Sequence, residues 1–363
     1  MQKGLLFTKP PAANSQEDFI KSLLDRLKHS LSVTLAHFYP LAGCLVTQKN
    51  ENPPSSLIFV DCSNSAGAKF IYADLDMTIS DILSPIDVPS IFQSFFDHDR
   101  AVNYDGHTMP LLSIQVTELK DGIFIGCSMN HCIGDGASYW HFFNTWPEIF
   151  QAQGNNISIT RPPIHKRWFP DGVSPIISLP FTHQDEFISR FKEPKLIRER
   201  TFQFSSESIA KLKAESNTNK IFSFQTFSCG YKNAAIGLLL RWFVNAAIDP
   251  PPFFFGVGGV TTAVELLEHI ISGGRHGSCI RLWLISLKVV RNILNTWLQS
   301  PFILQPAQFF DPNSVTMASS PRLNVYGSEF GMGIAVALRC GNANKFDGKV
   351  SSYPGREGGG SID

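Results

Sequence analysis

Residues 123–136 of the chain read IFIGCSMNHCIGDG, and this stretch decides the fold. The mainly apolar residues 123–129 predict a strand that returns from a turn at Asp121-Gly122. The apolar pattern of residues 137–150 predicts a helix, and the glycines between the two elements allow a tight bend. His131 is therefore expected at the end of a strand, within a strand-turn-helix unit.

Two side chains of this unit, His131 and Asp135, could carry chemistry. A histidine has an unperturbed pKa of ~6.5 and can accept a proton near neutral pH, which suits a general base. A carboxylate just before a helix can accept hydrogen bonds from the free amides of that helix, which offers Asp135 a structural role in place of a catalytic one. Taken alone, the same residues also fit a capped turn beside an ordinary histidine.

Charge and cysteine content limit the class of partner. The chain has 31 Lys and Arg and 31 Asp and Glu, so no net charge attracts nucleic acid or an anionic membrane, and we expect a small-molecule partner. Its seven cysteines include no Cys-x-x-Cys pair, which argues against a disulfide framework and against a zinc site. A reducing compartment, and hence a cytoplasmic location, fits this pattern best.

The apolar stretches of the chain are too short for targeting or for a membrane span. The N-terminus has an apolar run of only three residues, whereas a secretory signal needs ~7 to 15. The most apolar stretch, residues 234–248, contains Arg241 and is 15 residues long, whereas a membrane-spanning helix needs ~20. We therefore expect neither secretion nor a membrane span.

Elements predicted on both sides of the unit indicate an α/β class with two domains. Helices are predicted from Ser15, as N-cap, to about residue 38 and near Ser206, and strands at residues 57–60, 111–119, 201–204, 323–325 and 334–338. Residues 161–180 contain five prolines and show no periodicity, as is typical of a crossover between domains. The prediction is an N-terminal domain over 1–160, a crossover over 161–200 and a C-terminal domain over 201–363.

Several segments of the chain match the motifs of one family. They are His131, Asp135 and Gly136, FYPLAG at 38–43, FFDP at 309–312, NVYG at 324–327, Glu329-Phe330-Gly331-Met332-Gly333, and YPGREGGG at 353–360. The first set fits H-x-x-x-D-G, and Glu329 to Gly333 fit D-F-G-W-G with Glu for Asp and Met for Trp. In these motifs the chain resembles the plant BAHD family of acyl-CoA-dependent acyltransferases.

The resemblance implies two similar domains of mixed β-sheet flanked by helices, as in chloramphenicol acetyltransferase, with the active-site channel between them. It implies transfer of an acyl group from acyl-CoA, a co-substrate, to a small-molecule alcohol or amine. His131 would be the general base, and no acyl-enzyme, permanently bound cofactor or metal would be needed. Asp135, paired with an arginine, and Gly136 would support the loop, the second motif with Glu329, Phe330, Gly331 and Gly333 would be structural, and the protein would be a monomer.

Some departures from the family pattern support an alternative hypothesis. Both ends of the chain look truncated relative to the family, and residues 229–260 and 272–289 do not fit its usual segments. The alternative is a truncated relative that is catalytically weak or inactive. A third hypothesis is a condensation enzyme that acts on carrier-bound thioesters, since such enzymes use a similar histidine motif, although nothing modular is seen here.

Two other features could suggest different chemistry. Gly256-Val257-Gly258-Gly259 superficially resembles a dinucleotide-binding loop, but the pattern lacks its continuation and a downstream acidic residue. Cys132 adjoins His131 and could be a thiol nucleophile. Adjacent residues at a strand end tend to point to opposite sides, however, which favours a small space-filling role for Cys132.

Overall fold

The structure, a computed structural model, describes residues 1–11, 16–63, 67–152, 159–166, 178–188, 197–215, 316–319, 324–342, 345, 349–358 and 361–362. The α-helices within these ranges are α1 (Gln16–His37), α2 (Ile79–Leu83), α3 (Gly136–Gln151) and α4 (Ser206–Glu215). The strands are β1 (Gln2–Thr8), β2 (Cys44–Glu51), β3 (Pro54–Asp61), β4 (Lys69–Asp74), β5 (Leu112–Glu118), β6 (Gly122–Met129), β7 (Thr316–Ser319), β8 (Ala337–Cys340) and β9 (Lys349–Ser352).

A five-stranded mixed sheet carries the architecture, in the order β4-β5-β6-β1-β8. β4 pairs with β5 in parallel, and the other neighbours are antiparallel. β6 is the central strand, and every one of its residues is buried. A strand that is covered on both faces needs apolar residues on both, which explains why residues 123–129 are all apolar or glycine except Ser128.

The two faces of the sheet have separate apolar cores. Successive residues of a strand point to opposite faces, so Leu5 of β1 joins one core and Leu6 the other. Helices α1 and α3 cover the first face, where Leu27 and Trp146 are buried. The second face is covered by a 3-10 helix, Ser90–Phe95, whose phenylalanines pack around Phe124 of β6.

The strand-turn-helix unit is present as predicted. β6 ends at Met129 and α3 begins at Gly136, one residue before the predicted helix start. Helix α4 and the antiparallel pairing of β5 with β6 are also confirmed. Helix α1 is present, but its predicted cap Ser15 lies outside the described residues.

Three strand predictions in the second half of the chain were wrong in whole or in part. Residues 201–204 form no strand, and Phe204 makes only an isolated bridge with Ile362. Of residues 323–325, the described residues 324 and 325 lie outside any strand. The strand predicted at 334–338 occupies Ala337–Cys340 instead. A strand this short gives little periodicity, so its position depends on the partner that it finds.

The partner of β8 is β1, with Lys3 opposite Cys340 and Leu6 opposite Ala337. Strand β1 pairs with β6 on its other side, so β8 satisfies backbone groups that would otherwise lie at an open edge. A strand from the range 201–363 therefore belongs to the same sheet as strands from residues 1–160. The domain boundaries themselves stay a prediction.

In the described ranges no helix combines the length and the apolarity that crossing a bilayer requires. Residues 234–248, the most apolar stretch of the sequence, lie outside those ranges.

Candidate active site

The bend between β6 and α3 presents His131 on the protein surface. The sheet ends at Asn130, whose backbone N–H donates to the carbonyl oxygen of Leu111 at 2.8 Å. The chain then turns, and the N–H of Ile133 donates back to the carbonyl of Asn130 at 3.3 Å. His131 stands at the outside of this turn and is exposed. The position predicted for it, at a strand end before a helix, is the one observed.

Asp135 caps the helix that follows. Its carboxylate Oδ1 accepts the backbone N–H of Ser138 at 2.8 Å and the hydroxyl of Ser138 at 2.9 Å. These bonds satisfy one of the free amides at the start of α3, which is what an N-cap residue does. Among the described residues no arginine forms an ion pair with Asp135, and Arg241 lies outside them, so the arginine partner stays a prediction.

The two glycines of the bend differ in how strongly the structure requires them. A Cβ atom on Gly134 would lie 2.8 Å from Cβ of Ser138, too close for any side chain, so this position needs glycine. A Cβ atom on Gly136 would meet no atom within 4 Å. Local contacts therefore do not explain Gly136, and the first turn of α3 faces open space there.

His131 lines an open cleft that encloses about 390 Å³ of empty volume, part of it open to solvent. Part of its wall comes from residues 98–110, a segment that contains the 3-10 helix Asn103–His107. The lining residues are Met1, Gln2, His98, Ala101, Val102, Asn103, Asp105, Gly106, Met109, Pro110, Ser128, Met129, Asn130 and His131. Half of these residues are polar and the rest are apolar or glycine, so the cleft offers a small molecule both apolar surface and hydrogen-bonding groups.

The surroundings of His131 lower the pKa of its imidazole. Although its side chain is exposed to the cleft, neighbouring protein atoms remove part of its hydration, and this desolvation lowers the pKa of His131 below its ordinary value of 6.5. The nearby Asp135 carboxylate acts in the opposite direction but more weakly. A lowered pKa favours the neutral form of the imidazole, in which one ring nitrogen can accept a proton.

Other reactive groups near His131 do not form a second centre. Cys132 is half-buried and packs against the core cluster, and its backbone N–H donates to Oδ1 of Asn130 at 3.1 Å. This placement agrees with a space-filling thiol. Among the residues that the structure describes, no group of three His, Cys, Asp or Glu side chains could hold a metal ion.

The second motif packs on α3, away from its N-terminus. Phe330 is buried among the rings of Phe7, Phe143, Trp146 and Phe150, at centroid distances of 4.7 to 6.3 Å. The carbonyl of Glu329 accepts a hydrogen bond from Nε2 of Gln151, the last residue of the helix, at 2.8 Å.

At 1.5 Å per residue, the contacts of the second motif start about 12 Å along α3 from Asp135. Gly331 and Gly333 have φ angles of 75° and 76°, which L residues rarely adopt, so both positions need glycine. Met332 is buried in the core cluster. The motif therefore braces the helix that carries the bend and does not line the cleft.

Two parts of the site could not be found from the sequence. His98 lines the cleft with a left-handed backbone, φ 62°, and its pKa is lowered by burial despite the adjacent Asp97 carboxylate. Asn103 also lines the cleft and contacts the backbone of His131. Both lie about 30 residues before the motif, and only the folded sheet brings them to it.

Comparison with known proteins identifies a family. A family model described as "Transferase family" matches residues 1–244. An uncharacterized acetyltransferase of Arabidopsis thaliana is 31% identical over 387 residues, which cover 99% of this chain and 85% of the relative. The BAHD acyltransferase DCR of Arabidopsis thaliana is 28% identical over 397 residues, which cover 100% of this chain and 81% of the relative.

Solved structures show the same fold at low sequence identity. Vinorine synthase aligns with a TM-score of 0.57 at 18% identity, over 99% of this chain and 84% of that one. TRI101 of F. graminearum, in its apo form, aligns with a TM-score of 0.58 at 14% identity, over 99% of this chain and 89% of that one. The mixed sheet with flanking helices is therefore the chloramphenicol acetyltransferase-like fold that the sequence predicted. The chain belongs to the BAHD acyltransferases of the transferase family, enzymes that move acyl groups from coenzyme A thioesters to acceptors.

Proposed function

We propose that His131 is the general base for direct transfer of an acyl group from acyl-CoA to a hydroxyl or amine of a small molecule. The observation that supports this most is the position of His131 in an open, partly apolar cleft, where desolvation lowers the pKa of its imidazole. A general base must be unprotonated at working pH and must reach the proton that it removes. The lowered pKa of His131 supports the first condition, and its place in the cleft supports the second.

The proposed reaction is a single displacement through a tetrahedral intermediate. His131 takes the proton of the acceptor as its oxygen or nitrogen attacks the thioester carbonyl, and the carbonyl electrons move to oxygen. The intermediate then collapses, the C–S bond breaks, and the CoA thiolate leaves. The imidazolium returns the proton to the thiolate, so the products are an ester or amide and free CoA. No covalent acyl-enzyme forms.

Asp135, Gly136 and the second motif are assigned supporting roles. Asp135 holds the start of α3 through Ser138, and Glu329 and Phe330 contact its C-terminal half. Gly331 and Gly333 supply the positive φ angles of the segment that carries these contacts. None of these contacts involves the imidazole of His131. We infer that these residues keep the bend in place and do not take part in proton transfer.

The co-substrate is proposed to be acyl-CoA, with no permanently bound cofactor. One relative is a complex of F. sporotrichioides TRI101 with coenzyme A and T-2, which shows that this fold can hold the thioester carrier. Other relatives are named an omega-hydroxypalmitate O-feruloyl transferase and a fatty alcohol:caffeoyl-CoA acyltransferase, both of Arabidopsis thaliana. We also propose a monomer in the cytoplasm, which size-exclusion chromatography and cell fractionation would test.

The test of this function is CoA thiol release with a panel of donors and acceptors. Acetyl-, feruloyl-, caffeoyl- and coumaroyl-CoA would be combined with aliphatic alcohols, ω-hydroxy fatty acids and amines. We expect release that depends on both donor and acceptor, with no acyl mass added to the protein and with Cys132→Ser as active as the wild type. An acyl adduct that depends on Cys132 would contradict direct transfer. A folded protein without release for any pair would favour the inactive relative.

A further inference from the structure

The backbone of His131 is tied to a segment that lies 28 residues earlier in the sequence. Oδ1 of Asn103 accepts the backbone N–H of His131 at 3.2 Å. In return, Nδ2 of Asn130 donates to the backbone carbonyl of Asn103 at 2.7 Å. The side chain of Asn103 thus bonds the backbone of the residue after Asn130, and the side chain of Asn130 bonds the backbone of Asn103. We call this reciprocal pair of contacts the Asn103–Asn130 clamp.

The clamp also fixes the residue after His131. Oδ1 of Asn130 accepts the N–H of Cys132 at 3.1 Å. The sheet ends at Asn130, so the amides of His131 and Cys132 have no strand partner and need other acceptors. Both acceptors are asparagine side chains of the clamp. The amide orientation of Asn130 is consistent, because its nitrogen faces a carbonyl and its oxygen faces an N–H.

Asn103 can act as an anchor because its own segment is held firmly. It begins a 3-10 helix, Asn103–His107, in which the carboxylate of Asp105 accepts the N–H of Val102 at 2.9 Å. Gly106 of this helix lies directly against the clamp, since a Cβ atom there would be 2.9 Å from Nδ2 of Asn130 and 2.6 Å from Cδ2 of Leu111. A side chain at residue 106 would therefore push the two segments apart.

We propose that Asn103 and Asn130 are positioning residues that set the place of the His131 imidazole in the cleft. This inference rests on the proposed role of His131 as general base. A base works only when its nitrogen is aligned with the acceptor proton, and a displacement of about 1 Å can cost about 100-fold in rate. The alternative is that the clamp only stabilises the loop, in which case its loss would lower the melting temperature without a specific effect on turnover.

Two substitutions of Asn103 separate these roles. Asn103→Ala removes the acceptor for the His131 amide, and we expect kcat to fall about 10- to 100-fold with KM nearly unchanged. Asn103→Asp keeps an acceptor oxygen and should restore most of kcat. Its negative charge near the imidazole favours the protonated form, so the acid limb of the pH–rate profile should move to higher pH.

The matched control is Asn50→Ala. This substitution also removes one side-chain hydrogen bond, which Nδ2 of Asn50 donates to Oγ of Ser55 at 3.3 Å. Asn50 lies on the β2–β3 hairpin, outside the cleft. The kcat of Asn50→Ala should equal that of the wild type.

Two measurements apply to these variants. Kinetics would use the fastest donor and acceptor of the panel, and hydrogen exchange of the His131 and Cys132 amides would report on the clamp without any substrate. Exchange at His131 should accelerate in Asn103→Ala and not in Asn50→Ala.

The double variant His131→Ala/Asn103→Ala distinguishes failure of this inference from failure of the proposed function. If Asn103 acts through His131, the double variant should be no slower than His131→Ala alone. If Asn103→Ala slowed the His131→Ala variant by the same factor as it slows the wild type, the inference would be overturned and His131 would remain the base. An unchanged kcat in Asn103→Ala, or no recovery in Asn103→Asp, would also overturn the inference. If His131→Ala itself kept the full rate, the proposed function would fall and the inference with it.

Discussion

Asp135 is the residue for which a catalytic and a structural role must be separated. The hydrogen bonds to its carboxylate both come from Ser138, in the first turn of α3. Its effect on the pKa of His131 is weaker than that of desolvation. We expect a residue with these contacts to affect the rate by holding the bend, so its loss should reduce stability and activity together.

Asp135→Ala should lower the free energy of unfolding by about 0.5 to 2 kcal/mol, the usual cost of losing an N-cap. Activity should fall as well, and Asp135→Ser, which can still cap, should recover much of both. The control is Thr78→Ala, which removes the cap of the short helix α2 outside the cleft and should cost stability alone. A fall in activity with unchanged urea unfolding of Asp135→Ala would make Asp135 a proton-transfer partner instead.

At the scale of elements, the helix α3 connects the bend with the second motif. Its N-terminus carries Asp135, and its last two turns contact Phe330 and Glu329. A rigid helix transmits a change of packing at one end to the position of the other. The second motif can thus affect the site without touching the cleft.

Phe330→Ala should destabilise the protein by about 3 to 5 kcal/mol, because it leaves a cavity among four aromatic rings. The matched control is Phe202→Ala, since Phe202 is 62% exposed and should contribute little. Urea unfolding followed by tryptophan fluorescence measures both. A cost below about 1 kcal/mol for Phe330→Ala would show that the ring cluster does not hold α3.

The elements that the sequence predicted are those with a strong local pattern. The long apolar periodicity of α3 and the mainly apolar sequence of β6 each indicate one structure from neighbouring residues alone. Strand β8 has four residues, and its partner β1 lies more than 300 residues away, so its position follows from pairing and not from local pattern. The same reason hides Asn103, whose contact with His131 exists only once the sheet has formed.

At the scale of the whole molecule, three histidines favour the neutral form in the folded state. Desolvation by neighbouring protein atoms lowers the pKa values of His98, His131 and His141 below 6.5. In the unfolded chain these groups take up protons at about pH 6.5, whereas in the folded protein they do so only at lower pH. The unfolded state therefore binds more protons in this window, and the free energy of unfolding should decrease as the pH falls below about 6.5.

His141→Gln should make this acid-induced loss shallower. The imidazole of His141 bonds the carbonyl of Arg161 at 2.7 Å, and a glutamine amide can donate there without titrating. The control is His29→Gln, at an exposed position of α1. Melting temperatures between pH 7 and pH 5 would be compared. If the melting temperatures of the wild type, His141→Gln and His29→Gln fell in parallel with pH, burial of His141 would not contribute to acid sensitivity.

The central claim, that this acyltransferase uses His131 as its base, is tested most directly by the turnover of His131→Ala. CoA release would be measured with the fastest donor and acceptor, beside His29→Ala as a control for loss of an exposed histidine. Turnover of His131→Ala should fall by about 10²- to 10⁴-fold, the usual contribution of a general base, while its melting temperature and that of the control stay at the wild-type value. Full CoA release by His131→Ala would contradict the account.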